Sequence, residues 1–472
     1  MEPLLLAGRW VETGKVRPVI NPYQGERVFD VCQAGPEDFE RAIAAAEGAF
    51  PAARMMPAYR RSRILAGIAA ALAARVQDFA ELITRETGKP IMFSQTEVER
   101  AIFTFTTASE EAKRMEGVIL PLDMASSATG RQALVQRFPV GPVAAITPFN
   151  FPLNLVAHKM APALAVGCPF VLKPSSNAPV TALRLGQVAL EAGVPEEMLS
   201  ILPCASNEAA QLIEDERIKL ISFTGSPAVG WPLKVKAGKK KVTLELGGNA
   251  AVIIHSDAQV DHAVKRVVVG AFGNAGQSCI STQRLYVHES RLKEVTDTLL
   301  AAVRALATGN PENPATVVGP MITEEAAVKA ESWVTEAEKD GARVLLRGAR
   351  RGALLHPIVL TGVNPAQKVS CQEVFAPVLE IEPYRDIADA FRCVNASSYG
   401  LQAGIFTNDA AIIFRAYREL EVGGVVVNDS SAFRMDHMPY GGIKDSGFGR
   451  EGLRYAMEEM TEPKLLALNF PS

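Results

Sequence analysis

The stretch that decides the fold is 143–175, VAAITPFNFPLNLVAHKMAPALAVGCPFVLKPS. It opens on a short apolar run, 143–146, that is broken at once by Thr147-Pro148 and again by Pro152. A strand there, followed by a turn, is the economical reading. Residues 153–167 then carry an Ala/Leu/Val-rich pattern long enough for a helix, and PFVLKPS (169–175) supplies a second short strand. The unit recurs downstream. LSILPC (199–204) and LISFTGS (220–226) read as further strands, with helices predicted over 179–193 and 206–214. Strands alternating with helices imply right-handed crossovers and a parallel sheet. The predicted architecture is a Rossmann-like region that binds a mononucleotide or dinucleotide at the carboxyl ends of its strands.

Working outward, residues 36–116 read as helical. The runs ERAIAAAEGAF and RILAGIAAALAARVQDFAELITRETG place apolar residues at helical spacing, the second stopping at Thr87-Gly88-Lys89-Pro90. Beyond Gly247-Gly248 a second alternation begins: strand AAVIIHS, helix 258–271, strand RLYVHES, helix 291–307, continuing to about residue 445. The fold class is therefore α/β, with two α/β domains. QALVQRFPV (132–140) alternates as a strand does, and KLLALNF (464–470) is strand-like. Both suit a small β arm.

The totals exclude several classes. The chain has 472 residues, 48% hydrophobic, enough for roughly two to four domains with a cleft between them. A net charge of −3 without a long basic run gives no electrostatic footprint for nucleic acid. The start MEPLLLAGRW has no basic n-region and reads as no signal peptide. The most apolar region, 142–172, is interrupted by prolines, Asn150, His158 and Lys159, so it falls short of the about 20 apolar residues a membrane helix needs. The six cysteines form no CxxC pair, so neither a metal site nor a disulfide framework is expected. Free thiols in a reducing, cytoplasmic setting are the expectation.

Four short segments can carry chemistry. GNAGQSC (273–279) places Cys279 on a Gly-rich turn, where nearby backbone N–H groups would favour the thiolate. Taken alone it reads more readily as a buried structural cysteine. LELGGN (244–249) ends an apolar strand on Glu245, which is either a general base facing a cleft or a surface ion-pair partner. TPFNFP (147–152) puts Asn150 at the sheet edge, as an oxyanion donor or a helix cap. FTGSPAVG (223–230) runs a strand through Gly225-Ser226 into a helix whose N-terminus can take a pyrophosphate. Lys173 ends the neighbouring strand and is either a ribose or phosphate ligand or a solvated surface lysine.

The order and spacing of these segments resemble the aldehyde dehydrogenase superfamily over nearly the whole chain. The matching stretches are TPFNFPLNL, PFVLKPS, FTGSPAVG, LELGGNA, GNAGQSC, EVFAPVL (373–379) and MPYGGIKDSGFGREG (438–452), and Glu245 and Cys279 stand 34 residues apart, as the family's base and nucleophile do. The resemblance implies oxidation of an aldehyde to an acid with NAD or NADP, through a thioester on Cys279. Asn150 and the Cys279 backbone N–H would hold the oxyanion, and Glu245 would activate the hydrolytic water. It places Ser226 at the pyrophosphate, Lys173 at the adenine ribose, and Glu373, with Phe375 beside it, at the nicotinamide ribose. Thr224, Gly225, Leu246 and Gly247 fall near the nicotinamide, and Pro148 and Phe149 at the junction with the substrate. Phe149 stands where many members carry Trp. It further implies a cofactor domain of 1–117, 140–247 and 445–457, a catalytic domain of 248–444, and a bridging arm of 118–139 with 458–472 that builds a homodimer or homotetramer.

Three departures matter. Ser176 stands three residues after Lys173, where strict NAD users often carry Glu; without that carboxylate nothing repels a 2′-phosphate, and NADP should be accepted. Gly273 replaces the Arg typical of succinic semialdehyde enzymes, and Ser278 the Arg of phosphonoacetaldehyde enzymes. The HMPYGG and GREG features resemble the bacterial branch of lactaldehyde, glyceraldehyde-phosphate, sulfolactaldehyde and semialdehyde dehydrogenases. His158, Arg434 and His437 can hold a hydroxylated or anionic substrate tail, or form rim ion pairs with Asp429 or Asp436. Two rival functions are a CoA-acylating dehydrogenase, which usually lacks the equivalent of Glu245, and an inert structural protein, which would not need Cys279, Glu245 and Asn150 together.

Overall fold

A computed structural model describes residues 1–205 and 208–470. Two sheets organise it. In the first, five parallel strands run in spatial order Leu199–Ile201, Phe170–Lys173, Val143–Ile146, Leu220–Thr224, Lys241–Glu245. The chain starts in the middle, moves one way, then returns to the other side of its first strand. The switch point lies between Val143–Ile146 and Leu220–Thr224, where an open sheet of this kind forms its ligand crevice. Antiparallel strands close both edges: Leu4–Leu6 with Arg9–Val11 at one, Gly447–Phe448 at the other.

The second sheet has seven strands, in order Arg343–Arg347, Ile358–Thr361, Val378–Tyr384, Arg284–His288, Ala251–Ile254, Gln402–Phe406, Gly424–Val427, all parallel except the first. Its central strands are buried on both faces and read accordingly as continuous runs such as AVII. A third, three-stranded sheet pairs Arg131–Pro139 with Val118–Pro121 on one side and along its whole length with Thr461–Asn469 on the other. The two segments read as arm strands are thus partners within one chain.

The helices follow the sequence reading closely. The predicted 153–167 and 179–193 become Asn154–Val166 and Val180–Glu191. The predicted 206–214 becomes Ala210–Glu214, residues 206 and 207 lying outside the described residues. Two differences stand out. The long run 63–88 is two helices, Ala58–Ala73 and Val76–Thr87, the latter stopped by Gly88 at φ 69°. No Gly or Pro marks the break; the chain turns there so that both halves pack on Ile91–Glu111, a tertiary demand that overrides local propensity. The leucines of the N-terminal run, moreover, form a fully buried strand between Arg9–Val11 and Leu199–Ile201, with Leu5 opposite Ile201. Among the described residues no helix is long and apolar enough to cross a membrane.

Candidate active site

A cavity of about 530 Å³ lies where the carboxyl edge of the first sheet meets the amino edge of the second. The first sheet contributes the turn 148–150, residues 224–226 and residues 245–247, all at or just past strand ends. The second contributes 278–280 and 373–375, just before strands. The loop 432–434 and Tyr440 complete the wall, with Thr96, Arg100, Asn154 and His158 at the far end.

Cys279 reaches the cavity on a turn with unusual backbone. Asn274, Ala275 and Gly276 have φ of 52°, 54° and 68° in succession. For Asn274 and Ala275 the left-handed region costs about 1–2 kcal/mol per residue. Gly276 is obligatory, because a Cβ there would stand 2.2 Å from the Ala376 carbonyl oxygen. Gln277 ties the turn down: its amide donates to the Asn274 and Pro320 carbonyls and its Oε1 accepts from the Ile322 N–H at 2.8 Å. The Cys279 sulfur lies 3.1 Å from the Tyr440 hydroxyl. Burial pushes the thiol up to about 11, and the Tyr440 hydrogen bond opposes the shift.

Asn150 is buried, and its Nδ2 donates to the Gln277 carbonyl at 3.1 Å. That bond orients the amide and leaves its second N–H available. Glu245 is 4% exposed, and neither carboxylate oxygen has a hydrogen-bond partner. Burial first, and then the charge of Glu451, raise its pKa well above the ordinary carboxylate value, while Arg434 and Lys159 work against the rise. Glu451 moves the other way. Burial resists its ionisation, but Lys159, His158 and Arg434 outweigh it and hold Glu451 well below the usual range. Two carboxylates pushed apart in this way are suited to different tasks.

The cofactor-type residues occupy the opposite side. Glu373 accepts a hydrogen bond from the Gly248 N–H at 3.1 Å, and burial pushes its carboxyl up to about 7. Gly247 makes this approach possible, since a Cβ there would lie 2.3 Å from Glu373 Oε2. Phe375 meets Phe149 edge to face at 6.0 Å. Thr224 Oγ1 is buried without a partner, and Ser226 begins the helix Pro227–Lys236 with no side-chain cap bond of its own. Orphaned donors beside a helix N-terminus and a carboxylate admitted by a glycine fit a nucleotide with its pyrophosphate and ribose hydroxyls. Lys173 and Ser176 lie outside the cavity lining, along the same sheet edge at the end of Phe170–Lys173. Ser176 donates to the Cys204 carbonyl at 2.9 Å.

The remaining candidates separate. His158 and Arg434 line the cavity and touch each other, Arg434 Nη2 lying 3.0 Å from His158 Nδ1. His158 Nε2 is 2.8 Å from Asp436, and its Nδ1 also lies 3.4 Å from Glu451. Arg434 pairs with Glu451 at 3.1 Å rather than with Asp429 or Asp436; Asp429 is taken by Arg266 and Asp436 by Arg100. His437 is not part of the cavity lining. It is exposed and packs edge to face on Phe103 at 5.8 Å, because the side chains of the loop alternate and put Asp436 inward. The sequence reading missed Tyr440, Glu451, Lys159 and Arg100, and named Asp436 only as a rim ion-pair partner. Tyr440 and Glu451 sit inside the quoted MPYGG and GREG stretches, so a buried hydroxyl and a buried carboxylate were there to be noticed; Arg100 and Lys159 carried no local signal.

This is a doubly wound nucleotide-type sheet joined to a second α/β unit, with a thiol, an amide and a buried carboxylate at the junction. Comparison with known proteins agrees with that architecture. The chain matches the aldehyde dehydrogenase family over residues 10–466. It is 44% identical to the 3-sulfolactaldehyde dehydrogenase of Priestia aryabhattai, covering 99% of this chain and 98% of that one. Among solved structures, aldehyde dehydrogenase 21 of Physcomitrella patens, in complex with its reaction product succinate, superposes with a TM-score of 0.97 at 45% identity, covering 99% and 98% of the two chains. The glyceraldehyde-3-phosphate dehydrogenase GapN of Methanocaldococcus jannaschii, complexed with NADP, gives a TM-score of 0.93 at 38% identity, covering 97% and 100%. The chain belongs to the aldehyde dehydrogenase family. It is an oxidoreductase that acts on the aldehyde group with NAD or NADP.

Proposed function

We propose that the chain oxidises a short aldehyde bearing a hydroxyl or anionic group to its carboxylic acid, through a thioester on Cys279 that water hydrolyses. The observation that carries this reading is the convergence of Cys279, Asn150 and Glu245 on one cavity, with both Glu245 oxygens unpartnered. The Cys279 thiolate attacks the carbonyl carbon. The free Asn150 N–H, aimed by the bond to Gln277, holds the resulting oxyanion. When bound, the nicotinamide supplies the hydride acceptor for the oxidation. Cys279 then carries the acyl group as a thioester. Glu245 takes a proton from water, the hydroxide displaces sulfur, and the acid leaves. Thr224, Ser226, Leu246, Gly247, Glu373 and Phe375 would hold the nicotinamide half and the pyrophosphate, and Lys173 the adenine ribose.

One observation supports acceptance of NADP: Ser176 is uncharged and donates to the Cys204 carbonyl, so no carboxylate at that position repels a 2′-phosphate. The substrate reading rests on the basic groups Arg100, His158 and Arg434 at the far end of the cavity, and on relatives that act on sulfolactaldehyde or release succinate. We take 1–117, 140–247 and 445–457 as the cofactor unit, 248–444 as the catalytic unit and 118–139 with 458–472 as the arm. Ile119, Leu465 and Leu466 are each more than half exposed on the arm sheet, which supports pairing of copies as a homodimer or homotetramer. Six free cysteines support a reducing, cytoplasmic setting.

The test is kinetic. Short aldehydes ending in carboxylate, sulfonate, hydroxyl or methyl are each assayed with NAD and NADP, with and without CoA. The anionic or hydroxylated substrates should exceed the alkyl control at least about tenfold in kcat/KM, a difference of ~1.4 kcal/mol. Equal values would end the substrate reading. A preference for NAD above about a thousandfold, some 4 kcal/mol, would end the NADP reading. CoA-dependent product would replace hydrolysis with acyl transfer.

A further inference from the structure

The reading of Cys279 as nucleophile leaves its immediate neighbour without a task. Tyr440 is 3% exposed, and its hydroxyl is 3.1 Å from the reacting sulfur. Its position is fixed in two ways. Backbone bonds run both ways between Tyr440 and Glu451, at 3.0 and 2.7 Å. The Arg434 guanidinium lies over the phenol ring, 3.6 Å from its centre. Arg434 is held in turn by Glu451 and His158. A phenol seated this firmly against one sulfur is a directed contact, not incidental packing.

The charges facing Cys279 make the contact consequential. Glu373 and Glu245 disfavour a thiolate, and only Arg434 among the principal charged neighbours favours it. The ionised sulfur therefore needs a donor. Tyr440 keeps its proton, because burial and the neighbouring sulfur push its own ionisation well above the ordinary phenol value. In the resting thiol either atom can donate across 3.1 Å; once sulfur is ionised only the phenol can, and a charge-assisted bond is roughly twice as strong as a neutral one.

We propose that Tyr440 is a further catalytic residue, whose hydroxyl donates a hydrogen bond to the Cys279 thiolate and aims it into the cavity, with Arg434 as the positioning residue that holds the ring. This rests on Cys279 being the nucleophile.

The experiment follows alkylation of Cys279 by iodoacetamide against pH in the full-length protein, with the labelled peptide identified by mass spectrometry. The midpoint is the readout rather than the plateau, since a stabilised thiolate is also less nucleophilic. In Tyr440→Phe the midpoint should rise by about one pH unit, a tenfold loss of thiolate at a given pH, or ~1.4 kcal/mol. Turnover should fall about tenfold near neutrality and recover at alkaline pH, which a purely structural lesion would not allow, while cofactor affinity stays put. Arg434→Lys keeps the charge and loses the planar stack, and should move the midpoint in the same direction by less. An unmoved midpoint in both variants, with Cys279 still labelled, overturns the role of Tyr440 and leaves the nucleophile intact. Sustained turnover in Cys279→Ala would overturn the nucleophile and the proposal with it.

Discussion

Two buried polar groups lie side by side in this molecule and differ in one respect. Around the reacting atoms, Glu245 Oε1 and Oε2, Asn150 Oδ1 and Thr224 Oγ1 are all buried without a hydrogen-bond partner. At the far end of the cavity and behind it the network is nearly saturated. Glu451 takes Lys159 at 2.7 Å and Arg434 at 3.1 Å, while Asp436 takes Arg100, Asn154 and His158. Only Arg434 Nε is left over. An unsatisfied buried polar group costs roughly 1–3 kcal/mol, so the starved group is a liability as far as folding is concerned. The saturated group supplies the rigidity that lets the liability persist. Polar atoms left open at a cavity wall are where chemistry is to be sought; polar atoms fully occupied behind it are what hold the wall.

The sharpest way to break this division is at the sulfur. Cys279→Ala should reduce turnover by at least about a thousandfold while cofactor binding, measured by fluorescence titration, is preserved; a rate near wild type refutes the assignment. Glu245→Gln should have the next largest effect, slowing turnover about a hundredfold or more. Deacylation is the step affected, so an acyl adduct should become visible by mass spectrometry. Its melting temperature should hold or rise, because a buried carboxylate with a raised pKa has been made neutral. A fall of several degrees with turnover intact would place Glu245 in the scaffold instead.

The smallest kinetic effect and a large stability effect belong to the saturated side. Asp436→Asn should change kcat less than about tenfold yet destabilise the protein by about 3–5 kcal/mol at neutral pH, since it leaves Arg100 and His158 facing a neutral group. The pH dependence carries a sign. Burial opposes ionisation of Asp436, but His158 and Arg100 prevail and hold it well below the ordinary value. A carboxylate depressed in the folded state contributes stability that is present above its unfolded pKa, about 4, and is lost as pH falls below it. The gap between wild type and variant in thermal melts should therefore close in acid. A gap that widens below pH 4 would contradict the pairing.

The starved side was legible in the sequence and the saturated side was not. Glu245 ends a strand, Asn150 follows one closely and Cys279 shortly precedes one, and strand ends are marked by the change from apolar run to Gly, Pro and Asn. The resemblance of these motifs, in order and spacing, to the aldehyde dehydrogenase family brought them together. Asp436 acquires its meaning only from Arg100 and His158, and Glu451 only from Lys159, partners hundreds of residues away in the chain. No local pattern records such pairings. The same holds for Leu4–Leu6, whose three leucines gain a strand's identity only from Leu199–Ile201. His437 shows the converse. Its proximity to Arg434 in sequence implied a shared site, and the alternation of the loop sent it outward.

The closing edge strand has a consequence for how the protein is made. Gly447–Phe448 completes the first sheet against Lys241–Glu245, the helix Leu453–Glu459 covers Asn154–Val166, and Thr461–Asn469 joins Arg131–Pro139. In each case the earlier member is synthesised long before the later one. A nascent chain thus holds its nucleotide sheet unfinished and its thiol without Tyr440 or Glu451 until the last of these segments emerges. Contacts of such separation form slowly and leave apolar surface open in the meantime. The longer these surfaces stay open before the final segment arrives, the lower the yield of competent enzyme should be.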